Sequence, residues 1–436
     1  MKIIAIIITL VCCCLMFYLK REKKAALLIM GAMTLSAVSI SGIPFRKANL
    51  LLQVAFLLSE RGYLQQHIKY LRRVPWLRNL FLLVSGSALL AALTSPYTGI
   101  KEMIENNLLF GYFSLAYAFW AVKNEKTLKP ILKVSLYCLI VLSFFGVLNY
   151  MEKSSMFVNA MTEGRTSMYG DVAFGNLYTD SSRFRVQSMY NSAFDYGYIC
   201  VAILLLHLHG WHRHLESKTT FIIAIVCCSF GIITCGCRIV LVSAIFSITC
   251  YSMWVFHLNR TVMYGMIAVI LLIISYNIVP AVEAKVNQLT DMFLEDSDTN
   301  GSSIQLRMAQ FMSVLIYTEG NEWLGLGSGY WAHFYDVDPE SIRVLFGIES
   351  VIFVYLLERG IIGLVIWATF YTIILRYFGR KRKKNKSLTG LGASILTLYL
   401  VFSIGTGELG SVYPTMLLLG FVIKSIKCCK RNSSFA

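Results

Sequence analysis

Charge is scarce in this chain. Of 436 residues only 15% are Asp, Glu, Lys or Arg, against 56% hydrophobic, and the mean hydropathy is +0.62. Such a balance leaves no room for a soluble globular surface and makes insertion into a membrane the first conclusion. Nucleotide-binding loops, a soluble domain and internal repeats are also missing. GLGSG at 325–329 lacks the Lys and Ser/Thr of a phosphate loop and follows no parallel strand, so it reads as a turn. Cysteine is absent from the long polar stretches; the twelve Cys lie in apolar runs or, as Cys428 and Cys429, near the C-terminus, which argues against structural disulfides. Cys235 and Cys237 are spaced CxC with no adjacent His and read as packing residues rather than metal ligands. The first apolar run has its positive cluster after it and no small-residue cleavage site, so it reads as a retained anchor.

What the chain does contain is long apolar runs. They fall at about 2–19, 25–43, 48–63, 77–95, 107–122, 131–149, 192–210, 219–236, 239–256, 261–281, 347–375, 387–405 and 411–426. The expected fold is therefore all-α: one integral membrane domain over 1–436, a polytopic bundle of about 12–13 transmembrane helices. The third run is the shortest, and without it the basic residues Lys69, Arg72, Arg73 and Arg78 would lie opposite Lys20, Arg21, Lys23 and Lys24.

With thirteen spans, about 27 of the 40 Lys and Arg fall on one side, including RKRKKNK at 380–386. By the positive-inside rule that side is cytoplasmic, the N-terminus lies outside and the C-terminus inside. The net charge of +16 is thus explained by topology, with no continuous basic face for nucleic acid. Two large loops, 150–191 and 282–346, become extracytoplasmic. Within the second, 294–303 is rich in acids and turn formers, while 305–317 has a helical apolar period and is expected to lie along the membrane surface.

The same ledger isolates a few cations on the outer side: Arg165, Arg183, Arg185, Arg238, Lys285, Arg307 and Arg343. Arg238 is the most informative, because it sits in a short turn between two apolar runs. A guanidinium is always charged and matches phosphate oxygens, so arginines at the outer rim point to an anionic, membrane-anchored ligand such as a lipid-linked diphosphate. Solvation or pairing with a loop acid accounts equally for an individual outer Arg, and snorkelling is the competing account for Arg238. Three carboxylates are placed to act as a base: Glu349, Glu408 and Asp195. For Glu349 the alternative is a favourable charge at a helix N-terminus, and for Glu408 pairing with an Arg. Glu358 and Arg359 fall about two turns inside the eleventh span, where mutual pairing is the simplest account. DSD at 296–298 and DVD at 336–338 imitate metal-binding acid pairs but sit in generally acid-rich loops, and no metal or other cofactor is expected. Tyr169, Tyr178, Phe184, Tyr190, Trp323, Tyr330, Trp331, Phe334 and Tyr335 are outer aromatics suited either to sugar faces or to interfacial anchoring, with YWAHFYDVD the segment best placed to meet a glycan.

Three elements in order then form a pattern: GCR at 236–238, SSIQLRMAQFMSVLIYTEGNEWLGLGSGYW at 302–331, and ESVIFVYLLERGIIGLVIW at 349–367. This resembles the Wzy/WaaL superfamily of O-antigen polymerases and ligases over about 200 residues, from Arg183 to Trp367. Where ligases of that family carry His-Asn, this chain carries Glu349-Ser350, which favours the polymerase branch; Cys237 stands where Ser is usual, and His333 lies about sixteen residues upstream of Glu349. The resemblance implies a transferase in the bacterial inner membrane that moves a growing glycan from undecaprenyl diphosphate to a lipid-linked repeat unit. Arg238 and Arg307 would meet the diphosphate, Arg185 or Arg183 would hold the second substrate, and Glu349 or Glu408 would serve as base. The implied partners are the undecaprenyl-diphosphate-linked oligosaccharide, membrane lipids and other polysaccharide-assembly proteins such as a chain-length regulator or flippase, with no nucleic acid. A ligase acting on another acceptor and a flippase for lipid-linked oligosaccharide are the competing functions, although no repeated halves support a transporter.

Overall fold

A computed structural model describes residues 2–35, 39–40, 43–60, 75–97, 111–122, 127–162, 184–256, 304–331, 333, 343–345, 348–407 and 409–432. Its helices are α1 (Lys2–Tyr18), α2 (Arg21–Leu35), α3 (Phe45–Ser59), α4 (Pro75–Leu93), α5 (Phe113–Ala121), α6 (Leu128–Glu152), α7 (Met156–Thr162), α8 (Ala193–His212), α9 (Lys218–Thr234), α10 (Arg238–Val255), α11 (Ile304–Tyr317), α12 (Val351–Lys381), α13 (Lys386–Ile404) and α14 (Val412–Asn432). The described strands are β1 (Ser39–Ile40) and β2 (Ile43–Pro44), an antiparallel pair two residues long. The chain is a multi-pass helical membrane bundle. Six of the helices, α4, α6, α8, α10, α12 and α13, are both long and apolar enough to cross a bilayer. Every expected apolar run carries a helix except 261–281, which lies outside the described residues.

Local chemistry sets where these helices begin. Ser192, Ser217, Ser350 and Asn385 each cap a helix by accepting a backbone N–H of its first turn. Of the six spans, α8 and α13 are the most enclosed. Around α13 pack α8, α10, α12 and α14, while α9 and α6 cover α8. Lipid gives little hydrophobic reason for helices to associate, so close packing through small residues takes over. Gly392 on α13 is such a place, since a Cβ there would sit 2.4 Å from the ring of Phe378 on α12. Outward faces carry Leu82, Phe144, Val226 and Ile245, each more than half exposed to what is hydrocarbon in the membrane. Buried polar groups find one another: Tyr112 with Tyr355 at 2.9 Å, Gln53 with Tyr413 at 2.9 Å, and His207 with Ser135 Oγ at 3.0 Å and Glu216 at 2.8 Å.

One helix departs from regularity in a way that shapes one end of the bundle. α12 has 31 residues and α13 has 19, yet they share the turn at 382–385, and Val351 N–H donates to Thr406 O at 3.0 Å beyond the far end of α13. The surplus length, about 18 Å at 1.5 Å per residue, has to be folded away. The bend is at Gly360, with φ 61° and ψ −165°. The part from Ile361 to Lys381 is about 32 Å long and crosses the bilayer by itself. Val351–Arg359 folds over the top of the bundle. Glu358 and Arg359 consequently sit at the break, with Glu358 against the loop after α11, rather than within one continuous span. Glu358 accepts the Gly329 N–H at 3.0 Å, and the Arg359 guanidinium lies 4.6 Å from the centroid of the Tyr355 ring.

A break exposes backbone groups that must be paired near the membrane. The loop after α11 supplies the partners. Ile361 and Ile362 donate to Glu322 O (2.8 Å) and Trp323 O (3.2 Å), while Leu326 and Gly327 donate to Leu357 O (2.8 Å) and Glu358 O (3.1 Å). GLGSG is the turn expected from sequence, and its three glycines all have positive φ. The loop is held on its other side by Ser95, whose Oγ donates to Ser328 O at 2.5 Å.

Gly360→Ala should therefore lower the thermal unfolding midpoint of the detergent-solubilised protein, with a loss of about 2–3 kcal/mol or more. A Cβ there would need positive φ and would sit 2.5 Å from Trp323 O. Gly379→Ala on the same helix meets nothing within 4 Å and should leave the midpoint unchanged or slightly higher. Equal effects of the two would contradict the docked break.

Candidate functional site

The turn between α9 and α10 is built from Cys235, Gly236 and Cys237. Gly236 has φ +64°, and a Cβ there would lie 3.1 Å from Cγ of Arg185, so glycine serves both the turn and the close approach of that side chain. Cys237 precedes α10 without a side-chain cap, and Arg238 is the first helical residue. The guanidinium and the amide end of the helix thus add positive charge at one place. The two cysteines pack as expected: Cys235 Sγ donates to Ile232 O at 3.1 Å and Cys237 Sγ to Cys235 O at 3.2 Å.

Arg185 reaches this turn because the segment before α8 folds into the bundle. Val186 N–H donates to Thr234 O at 3.0 Å. Asn149 Oδ1 accepts from Gln187 N–H at 2.9 Å and Ser188 N–H at 3.3 Å, and Ser188 Oγ donates to Leu142 O at 2.6 Å. The Arg185 guanidinium lies 5.5 Å from the centroid of the Phe194 ring. Tyr190, grouped with the outer aromatics by its position in sequence, is fully buried by this inward fold and offers no face to a sugar.

A second group forms where α11 meets the start of α12. Arg307 Nε donates to Glu349 Oε2 at 3.0 Å and Arg307 Nη2 to Gly405 O at 3.4 Å. One turn further along α11, Gln310 Oε1 accepts the Glu349 N–H at 3.1 Å, so the i, i+3 spacing sets both side chains on the face toward Glu349. Gln310 is completely buried, and among the described residues its Nε2 has no hydrogen-bond partner. The Arg307 and Glu349 side chains are 33% and 26% exposed. A pair this accessible contributes about 1 kcal/mol or less to stability, so a competing anion displaces it at small cost.

The two groups meet through Gly405. A Cβ at Gly405 would lie 2.4 Å from Ile239 Cδ1, so the residue that follows Arg238 packs on the glycine whose carbonyl accepts from Arg307. Arg185, Arg238, Arg307 and Glu349, distant in sequence, thus gather at the same end of the bundle. The helix-capping alternative for Glu349 gives way, because the cap is Ser350, whose Oγ accepts the Ile352 N–H at 3.2 Å, while the Glu349 carboxylate turns to Arg307. Asp195 lies in the first turn of α8. Arg183 and Glu408 lie outside the described residues, as do DSD, DVD and most of YWAHFYDVD. From that last segment, Trp331 Nε1 donates to Leu345 O at 2.9 Å, and His333 stands beside Tyr97 with ring centroids 4.8 Å apart.

Sequence reasoning missed Gln310, Gly405 and Asn149. Gln310 had a visible signal, a polar residue one helical turn from Arg307 in an otherwise apolar stretch. Gly405 matters through its carbonyl and its close packing, and the Asn149 side chain through backbone N–H groups far away in sequence, so neither left a periodic trace.

A search of curated proteins found no match. Residues 223–368, about a third of the chain, match the family described as Wzy_C, O-Antigen ligase. That stretch contains Arg238, Arg307, Gln310, Glu349 and the broken part of α12, the elements that meet at one end of the bundle. Over these residues the chain is similar to the O-antigen ligase family.

Proposed function

We propose that this protein is the polymerase of a bacterial surface polysaccharide, working at the outer face of the inner membrane. It would transfer a growing glycan from undecaprenyl diphosphate to a sugar hydroxyl of a lipid-linked repeat unit. The observation that carries the reading is the Arg307–Glu349 pair: an acid stands where ligases of the family have histidine, and it is bound to the cation best placed for a diphosphate. In the transfer, the bond from the anomeric carbon to the diphosphate oxygen breaks and a bond to the acceptor oxygen forms. The acceptor proton must go to a base, and the leaving diphosphate must be stabilised.

The resting contact supports an exchange of anions. A diphosphate carries more charge than a carboxylate and fits the guanidinium fork, so it would compete with Glu349 for Arg307. Once released, the Glu349 carboxylate would stand beside the reacting centre to take the acceptor proton. Arg238 and the amide end of α10 add positive charge for the leaving group, and Arg185 across the Gly236 turn holds the second substrate. The buried Nε2 of Gln310 supplies a donor for a phosphate oxygen or sugar hydroxyl. No step in this scheme calls on a metal ion.

Deletion of the gene followed by glycan analysis tests the assignment. Single repeat units in place of polymer support it; full-length polymer left on its carrier identifies a ligase, and repeat units trapped at the cytoplasmic face identify a flippase.

In a reconstituted assay, Arg238→Ala and Arg307→Ala should each reduce polymer formation by about 10²-fold or more without loss of expression. Normal chain formation in either variant would remove that arginine from the mechanism.

For Glu349→Gln the expected loss is about 10²–10⁴-fold in turnover, with lipid-linked substrate still bound. Full activity across a pH series would show that the base lies elsewhere.

Treatment with EDTA should leave polymer synthesis intact, and a requirement for added divalent ion would contradict the arginine mechanism.

A further inference from the structure

When an anion takes the Arg307 guanidinium, the carboxylate that rested on it needs another donor. Glu349 cannot move away as a whole to find one. Its backbone N–H donates to Gln310 Oε1 at 3.1 Å, and on the next two residues Ser350 Oγ donates to Ser403 O at 3.3 Å and Val351 N–H to Thr406 O at 3.0 Å. Arg307 is held as well, by the bond from its Nη2 to Gly405 O at 3.4 Å. Motion is thus confined to the Glu349 side chain, which turns about its own single bonds.

Gln310 offers the donor. A backbone N–H can only donate, so the Gln310 atom that faces the Glu349 N–H is the amide oxygen, and the amide nitrogen points elsewhere. That nitrogen carries two hydrogens, and among the described residues it has no hydrogen-bond partner. The side chain is completely buried, so solvent does not supply one. An enclosed NH₂ group without an acceptor costs free energy, and an arrangement that brings it an acceptor is favoured. Arg307 and Gln310 stand one turn apart on α11, and both already touch Glu349, Arg307 at the carboxylate and Gln310 at the backbone. Because Nε2 shares its amide carbon with Oε1, it lies within one side-chain length of that carboxylate.

We propose that Gln310 is a second seat for the Glu349 carboxylate: a diphosphate that occupies Arg307 turns Glu349 onto Gln310 Nε2, where one hydrogen holds the carboxylate and the other remains for the acceptor hydroxyl. The seat has this use only if Arg307 binds the diphosphate, as proposed above. A neutral amide fixes the direction of the carboxylate without the full charge of a guanidinium, so Glu349 stays aimed at the acceptor hydroxyl and available to its proton. Gln310 is in this respect a positioning residue that acts through Glu349. The two seats also couple binding to chemistry, because the base is set in place by the arrival of the group that will leave.

Binding of undecaprenyl diphosphate to the full-length protein in mild detergent, with no acceptor present, tests the second seat through a double-mutant cycle. Gln310→Met keeps the length of the side chain and removes the seat. It should weaken binding about tenfold, because the displaced carboxylate then finds no donor. In a Glu349→Ala background there is no carboxylate to displace, and the same Gln310→Met change should leave the affinity within about twofold. A residue that merely supports the fold, or that touches the diphosphate itself, would cost the same in both backgrounds; that result would overturn the proposal, as would the absence of a loss in either. Gln310→Asn, which keeps the amide but draws it back by one methylene, should repeat the pattern and decides the matter if Gln310→Met does not fold. Unaltered protein that fails to bind undecaprenyl diphosphate would instead refute the diphosphate reading of Arg307, and the second seat with it.

Discussion

Inside a bilayer a backbone N–H or C=O without a partner costs several kcal/mol, and this constraint governs the end of the molecule that carries Arg307 and Glu349. A bundle of uninterrupted helices would satisfy it and leave no place to assemble a site. Here α12 is interrupted at Gly360, and the groups released by the break are taken up by the loop of 322–327. The interruption is the means by which Val351–Arg359 is laid over the bundle. That in turn brings Glu349 to Arg307 and sets Val351 against Thr406. A straight α12 continued to Glu349 would carry it about 16 Å from the helix break along the helix axis.

Glycine has a parallel role around the arginines. A guanidinium held at the membrane edge must be fixed by packing, because few polar neighbours are available there to orient it. Gly236 allows Arg185 to lie across the turn that begins α10, and Gly405 allows Ile239 to lie against the turn that ends α13. Both contacts put backbone next to side chain at distances a Cβ would forbid. The arginines are thereby brought to one region by turns whose geometry is set from the bundle below, while their exposure stays compatible with ligand entry.

The sequence shows the helices plainly because a membrane span needs only an apolar stretch of sufficient length, a property of neighbouring residues. Arg238 was legible for the same reason, as a charge interrupting such a stretch, and Arg307 because the amphipathic period of 305–317 is local too. The bend at Gly360 was not. It depends on hydrogen bonds between 322–327 and 357–362, and no periodicity encodes pairing across that separation. Glu358 and Arg359 looked deeply inserted only because α12 was taken as one straight span. Likewise the partner of Glu349 follows from how α11 lies over α12, and the burial of Tyr190 from an inward fold tied to Asn149, both tertiary facts.

The charge distribution gives the final step. Apart from Glu22, Glu60, Glu125 and Glu216, the acids of this chain fall in or beside the loops on the side poorer in Lys and Arg, or at the break of α12. Acids within a Debye length of about 8–10 Å oppose an anion near that face, and those farther away are screened. Attraction must come from short range, where arginine donors and a helix N-terminus act through hydrogen bonds rather than a diffuse field. A carboxylate resting on Arg307 fits this economy. It spares the protein an uncompensated cation while the site is empty, and in the proposed transfer a more highly charged group with better geometry would take its place on Arg307. In that proposal the same contact would hold Arg307 in readiness and free a base when substrate binds.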